Sequence, residues 1–122
     1  RQGSAVIEPR LATGLWVDAL LRRVQLEGAS AFVHHKGDAD RGDVVVKVAS
    51  LDGRARGFVP SIDYDTGVRS FTDLALRGVG ETEREIDEYI HRARDRDPDL
   101  WIIEIEDREG RHFLTEPVEL NG

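Results

Sequence analysis

Glu104, Glu106 and His112 are the side chains whose types and spacing come nearest to a chemical constellation. They lie in Asp97-Pro98-Asp99-Leu100-Trp101-Ile102-Ile103-Glu104-Ile105-Glu106, continued by Asp107-Arg108-Glu109-Gly110 and Arg111-His112-Phe113-Leu114. The stretch reads as a helix stop, a buried strand, a tight turn and a return strand. With Arg108-Glu109-Gly110 as a type I turn closed by a glycine bulge, Asp107 faces Arg111, Glu106 faces His112 and Glu104 faces Leu114. Two carboxylates and an imidazole on one sheet face are the makings of a hard-metal site or an acid/base pair, as a small metal-dependent hydrolase would use. The plainer expectation is the wet face of a hairpin, because no fourth ligand is legible and a Glu–His cross-strand pair is common.

Arg54 and Arg56 share one face of a strand with Phe58. Two guanidiniums beside an aromatic ring suit a carboxylate, a phosphate or a stacked base, so a nucleotide or a single strand is a second candidate ligand. Exposed strand arginines also serve simply to blunt a sheet edge. His34 and His35 are adjacent, and alternation on a strand sends them to opposite faces, which argues against one shared site. In Gly37-Asp38-Ala39-Asp40-Arg41-Gly42-Asp43 the aspartates begin like a calcium loop, but alanine stands at position 49 where the distal glutamate belongs. The expectation there is a solvated hairpin loop. Gly78-Val79-Gly80 lacks the preceding strand and the lysine of a phosphate loop. No Gly-x-Ser-x-Gly elbow occurs.

The elements that must position these residues follow from periodicity. Trp16, Val17, Leu20, Leu21 and Val24 recur at helical spacing, predicting a helix over Thr13–Glu27 with Thr13 as N-cap and Gly28 just past its end. Leu15, Ala19 and Leu26 form a second apolar stripe on that helix, more than one sheet face requires. Strands are expected over Ala31–Lys36, Val44–Ala49 (central, because nearly all β-branched), Arg54–Val59 ended by Pro60, and about Val68–Thr72. Leu51-Asp52-Gly53-Arg54 signals a two-residue hairpin, and Asp63-Tyr64-Asp65-Thr66-Gly67 another turn. Thr82-Glu83-Arg84-Glu85 is a capping box opening a second helix whose stripe is Ile86, Tyr89, Ile90 and Ala93. Asp97-Pro98 stops it. Trp101, Ile103 and Ile105 then alternate on one strand face.

The resulting order α-β-β-β-β-α-β-β predicts one α+β domain over residues 5–122. Its sheet has five or six strands, mostly antiparallel or mixed, and carries two main helices. Arg1-Gln2-Gly3-Ser4 reads as an expression-tag remnant. Of 122 residues, 39% are hydrophobic and 34% charged, as in soluble globular proteins. No apolar run is long enough to span a membrane and no leader pattern is legible, so the expected location is cytoplasmic. There are no cysteines, which excludes a thiolate nucleophile or a thiolate-bound zinc from this chain. Of the net charge of −7, the part from Val79 onward carries six arginines against fourteen acidic residues. Such a surface repels phosphate backbones, so no duplex nucleic acid is expected as a partner.

Pro9-Arg10-Leu11, Leu15-Trp16-Val17-Asp18-Ala19-Leu20-Leu21-Arg22-Arg23, Lys36-Gly37-Asp38, Val46-Lys47-Val48, Leu51-Asp52-Gly53 and the block from Asp97 to Leu114 together carry a resemblance. The chain resembles, from Glu8 to Val118, the domain-of-unknown-function 1491 family of short bacterial proteins. Phe71 stands where that family would be expected to carry tryptophan. The resemblance implies a stand-alone bacterial cytoplasmic protein and supplies no activity, cofactor or catalytic residue. The functional expectation therefore comes from the surplus apolar stripe: a non-catalytic module without cofactor that binds a protein partner, a second copy of itself included, through Leu15, Ala19 and Leu26. The strand Arg54–Val59, if it lies at a sheet edge, offers a second site for strand addition.

Overall fold

A computed structural model describes residues 11–62, 65 and 69–121. The elements, in chain order, are α1 (Thr13–Leu26), β1 (Ser30–His35), β2 (Val44–Ala49), β3 (Ala55–Ile62), β4 (Arg69–Asp73), a short 3-10 turn (Leu74–Arg77), α2 (Glu83–Arg96), β5 (Trp101–Glu106) and β6 (Val118–Glu119). The chain is thus a single α+β domain in the order read from the sequence. The six strands form one mixed sheet ordered β1-β5-β2-β3-β4-β6. β5 is parallel to β2 and β6 is parallel to β4, while β1/β5, β2/β3 and β3/β4 are antiparallel. The tag expected at residues 1–4 and most of the turn Asp63–Gly67 lie outside the described residues.

The helices cover opposite faces of this sheet. On one, Trp16, Leu20 and Val24 of α1 bury against Val46, Val48, Phe58, Phe71, Trp101, Ile103 and Ile105. On the other, Ile86, Ile90 and Ala93 of α2 bury against Val45, Val59, Leu74, Leu100 and Ile102. The face carrying Val46, Val48, Trp101, Ile103 and Ile105 therefore serves α1 and not α2. β2 is buried along its whole length, as a strand with a layer on each face must be.

Both ends of α1 are closed by backbone. Gly28, at φ 81°, gives its N–H to Gln25 O while Ala29 N–H bonds Val24 O, a Schellman closure. At the other end Thr13 is the first helical residue and not the cap: Ala12 occupies that position without a side-chain bond. The carbonyl of Ala39 accepts the Gly14 N–H at 2.8 Å, and the Thr13 hydroxyl donates to Gly42 O at 2.8 Å. For α2 the Thr82 cap forms and the Glu85 carboxylate turns back onto it: the Thr82 hydroxyl accepts from Glu85 N–H at 3.2 Å and donates to the Glu85 carboxylate at 2.8 Å.

Four connections depart from the sequence reading. Residues 37–43 do not close a hairpin, because β5 lies between β1 and β2; the loop instead crosses the start of β5. Asp38 N–H bonds Asp99 O, and Trp101 Nε1 donates to Asp38 O at 2.7 Å. The β2–β3 turn is longer than two residues, with Ser50 N–H bonded to Arg54 O and both Leu51 and Gly53 at positive φ. β3 continues through Pro60, which pairs with Phe71 of β4 beyond the last β2 partner at Phe58, so the missing N–H interrupts no β2 pair. Finally, Arg111–Leu114 forms no return strand. Both edges of β5 are already taken by β1 and β2, so the chain leaves and crosses the α1 face, where Phe113 and Leu114 join the core. It ends beside β4 as β6.

Candidate functional site

The crossing segment decides the fate of the Glu104/Glu106/His112 constellation. His112 is carried to the α1 face, where its ring meets the Phe58 ring edge-on at 5.2 Å and its Nδ1 accepts the Leu114 N–H at 2.9 Å. Burial, and then the nearby Arg56 charge, push its pKa below the usual imidazole value, so the neutral ring that accepts this bond is favoured. Glu104 sits on the α2 face beside Lys47, and Glu106 shares that face by alternation along β5. The sheet separates the carboxylates from the imidazole, and among the described residues no group of three His, Asp or Glu side chains is placed to hold a metal ion. The alternation argument for His34 and His35 also fails locally, since a register shift between Val33 and His35 inserts one extra residue on β1.

The second candidate trio is likewise divided. Phe58 is fully buried in the core, so no base can stack on it. Arg54 and Arg56 face a cleft and share Glu81 at 3.9 and 3.7 Å. Their strand is internal, with β2 on one side and β4 on the other, and offers no edge for strand addition. Asp38, the first oxygen of the supposed calcium loop, is spent within it, accepting from Asp40 N–H and Arg41 N–H at 2.9 and 2.8 Å. These bonds hold its carboxyl below the usual range.

Among the described residues the sheet ends at β1 on one side and at the two-residue β6 on the other. The Ser30–His35 backbone of β1 pairs, among the described residues, with β5 alone, and Phe32 and Val33 are 42% and 38% exposed. Opposition to Glu104 puts Phe32 on the α2 face, and opposition to Ile103 puts Val33 on the α1 face. Between β1 and α2 runs a cleft of about 280 Å³ lined by His34, Lys47, Asp87, His91, Arg94 and Glu104, among others. Its floor holds the one charge that a run of valines concealed. Lys47 is 4% exposed, and its ammonium lies 2.8 Å from Asp87, 3.0 Å from Glu83 and 3.6 Å from Glu104. Burial alone would lower its pKa, but the Asp87 and Glu83 carboxylates outweigh burial and raise it. The amine therefore stays protonated at neutral pH and cannot act as nucleophile or base; it ties β2 to α2 and β5. His34 reaches Glu104 at 3.7 Å and lies 6.4 Å from the Phe32 ring. The signal for Lys47 was present in sequence as a lone charge inside Val44-Val45-Val46-Lys47-Val48-Ala49.

Leu15, Ala19 and Leu26 all lie on the outer side of α1: Leu15 is 59% and Leu26 73% exposed, and Ala19 is exposed as well. Val6 and Ile7, apolar residues that precede the helix in sequence, lie outside the described residues.

Residues 11–115 match the model of a family described as "Protein of unknown function (DUF1491)". The chain is similar to the crystal structure of a DUF1491 family protein from Caulobacter crescentus CB15, with 49% identity and a TM-score of 0.81 over 90% of this chain and 100% of that one. An NMR structure of a DUF1491 family protein from the same organism is 48% identical, with a TM-score of 0.79 over 90% of this chain and 97% of that one. The solution structure of protein Atu0922 from A. tumefaciens is 32% identical, with a TM-score of 0.72 over 93% and 100% of the two chains. No curated protein matches the chain.

Proposed function

The chain belongs to the DUF1491 family, whose description assigns no function, and we propose that it acts as a non-catalytic protein-interaction module that pairs with a second copy of itself along β1. The observation that carries this reading is the edge of β1, unpaired among the described residues, with an apolar side chain exposed on each face at Phe32 and Val33. An exposed edge presents a row of N–H and C=O groups ready to accept another strand. Ser30-Ala31-Phe32-Val33-His34-His35 carries no fixed charge, so two copies can lie antiparallel across a two-fold axis without like charges facing each other. The bulge after Val33 limits regular pairing to the first four residues of the strand, which suits a reversible contact. The exposed stripe Leu15, Ala19 and Leu26 adds apolar surface for the same purpose or for a further partner.

Light scattering of the purified chain over a wide concentration range tests the reading. A monomer–dimer equilibrium is expected, shifted to monomer by Phe32→Lys with Val33→Lys while circular dichroism stays unchanged. A dimer lost instead on Leu15→Glu with Leu26→Glu moves the contact to α1. A strict monomer at every concentration overturns the self-pairing.

A further inference from the structure

The β2–β3 turn, the turn after β5 and the residue preceding the α2 cap converge on a cleft of about 310 Å³. No residue of β1 lines it: β2, β3 and the turns beside them supply its walls. Three guanidiniums line it: Arg54 and Arg56 from β3 and its approach, and Arg108 from the β5 turn. Three carboxylates line it too, Asp52, Glu81 and Glu109, so the balance depends on how each is engaged. Asp52 accepts the Ser50 hydroxyl at 2.7 Å and the Arg54 N–H at 3.0 Å. Glu109 lies 3.6 Å from Arg111. Glu81 is, among the described residues, the carboxylate that reaches both Arg54 and Arg56, at 3.9 and 3.7 Å, separations too long for hydrogen bonds. The Asp52 charge also attracts Arg54. Among the described residues Arg108 has no ion-pair partner. The guanidinium donors of the cleft therefore outnumber the acceptors that reach them, and forked donors are matched best by the paired oxygens of a carboxylate or a phosphate.

From this geometry we infer that the cleft of Arg54, Arg56 and Arg108 binds a small polyanion, a phosphate monoester or a polycarboxylate, in competition with Glu81. The volume admits a ligand of that size and is at the low end for anything larger. With Phe58 withdrawn into the core, nothing of the cleft offers a flat apolar surface, so the ligand carries its affinity in its anionic group. The backbone holds the arginines in place: Asp107 N–H is bonded to Ala49 O at 3.0 Å and Ala55 N–H to Glu81 O at 3.0 Å. These bonds fix the backbone from which the arginines project into the cleft.

The test is a titration of the full chain, labelled with nitrogen-15, with inorganic phosphate and separately with citrate, each against sodium chloride at matched ionic strength. Saturable amide shifts at Arg54, Arg56 and Gly110 are expected with at least one of the two anions, and the tighter of them identifies the source of the oxygens. Arg56→Gln is expected to weaken binding by roughly tenfold or more, the loss of a charge-assisted donor. Glu81→Gln, which removes the competitor, is expected to tighten it. Should Arg56→Gln fail to fold, Arg108→Gln, at an exposed position, provides the same loss of affinity. Shifts no larger than those in chloride, or shifts indifferent to both Glu81→Gln and the arginine substitution, overturn the assignment.

Discussion

Asp107 illustrates how one residue holds a connection that no strand supports. It is 7% exposed, and Arg111 grips both of its oxygens, with Nε and Nη2 each at 3.0 Å and the Arg111 N–H at 2.8 Å. These bonds, the side-chain pair foremost, hold its carboxyl below the usual range even though burial acts the other way. The Arg111 guanidinium then lies 4.9 Å above the Phe113 ring, so the pair fixes the point where the chain leaves β5 for the α1 face. A carboxyl whose folded pKa is depressed contributes stability that is fully present above its unfolded value. That contribution is lost as pH falls below about 4, through the folded value. Asp107→Asn is therefore expected to cost about 1–3 kcal/mol near neutral pH. The gap between wild type and variant should close on acidification, as urea unfolding curves at neutral and strongly acidic pH will show. An unchanged gap would mean that the ion pair contributes nothing beyond packing.

At the scale of elements, the loop 37–43 closes no hairpin and instead ties α1 to the start of β5. Its carbonyls close the N-terminus of α1 and accept the indole N–H of Trp101. Such a close approach needs glycine at two positions. A Cβ on Gly37 or on Gly42 would run into Asp99 O, and one on Gly42 would also come within 2.9 Å of the Trp101 ring. Because the obstacle is mainly backbone, side-chain rotation cannot relieve it. Gly42→Ala is expected to destabilise by about 1–3 kcal/mol and to alter the near-ultraviolet signal of Trp101 before global unfolding. A variant as stable as wild type with an unchanged tryptophan signal would show that the loop yields freely.

For the whole molecule, the decisive fact is that one sheet is shared by two cores. Its α1 face buries Trp101 at 4% exposure and its α2 face buries Ile86 completely. Neither helix can leave without exposing the same β2 and β5 backbone, so both cores are expected to melt in one transition. Trp101→Ala should cost about 3–5 kcal/mol and Ile86→Ala about 2–5 kcal/mol. Far- and near-ultraviolet circular dichroism should follow coincident curves in both variants. Separate transitions for the two probes would show that the layers unfold independently. No described helix is long and apolar enough to cross a membrane.

What the sequence determined by itself is what near neighbours along the chain decide. The α2 capping box, the Gly28 closure, the stop at Asp97-Pro98, the burial of Val44–Ala49 and the alternation of Trp101, Ile103 and Ile105 depend on residues a few positions apart, and each was legible. The family resemblance was equally legible, because it rests on residue identity. Only the tertiary structure decided which strand lies beside which. Inserting β5 between β1 and β2 removed one expected hairpin, left β5 without a free edge for another, and sent His112 to the face opposite Glu104. It also put β1 at an edge of the described sheet and β3 inside it. The candidate sites changed for the same reason. Local periodicity tells which face of its own strand a side chain takes, but two strands distant in sequence share a site only through the order of the sheet, and that order is set by how both faces are buried together.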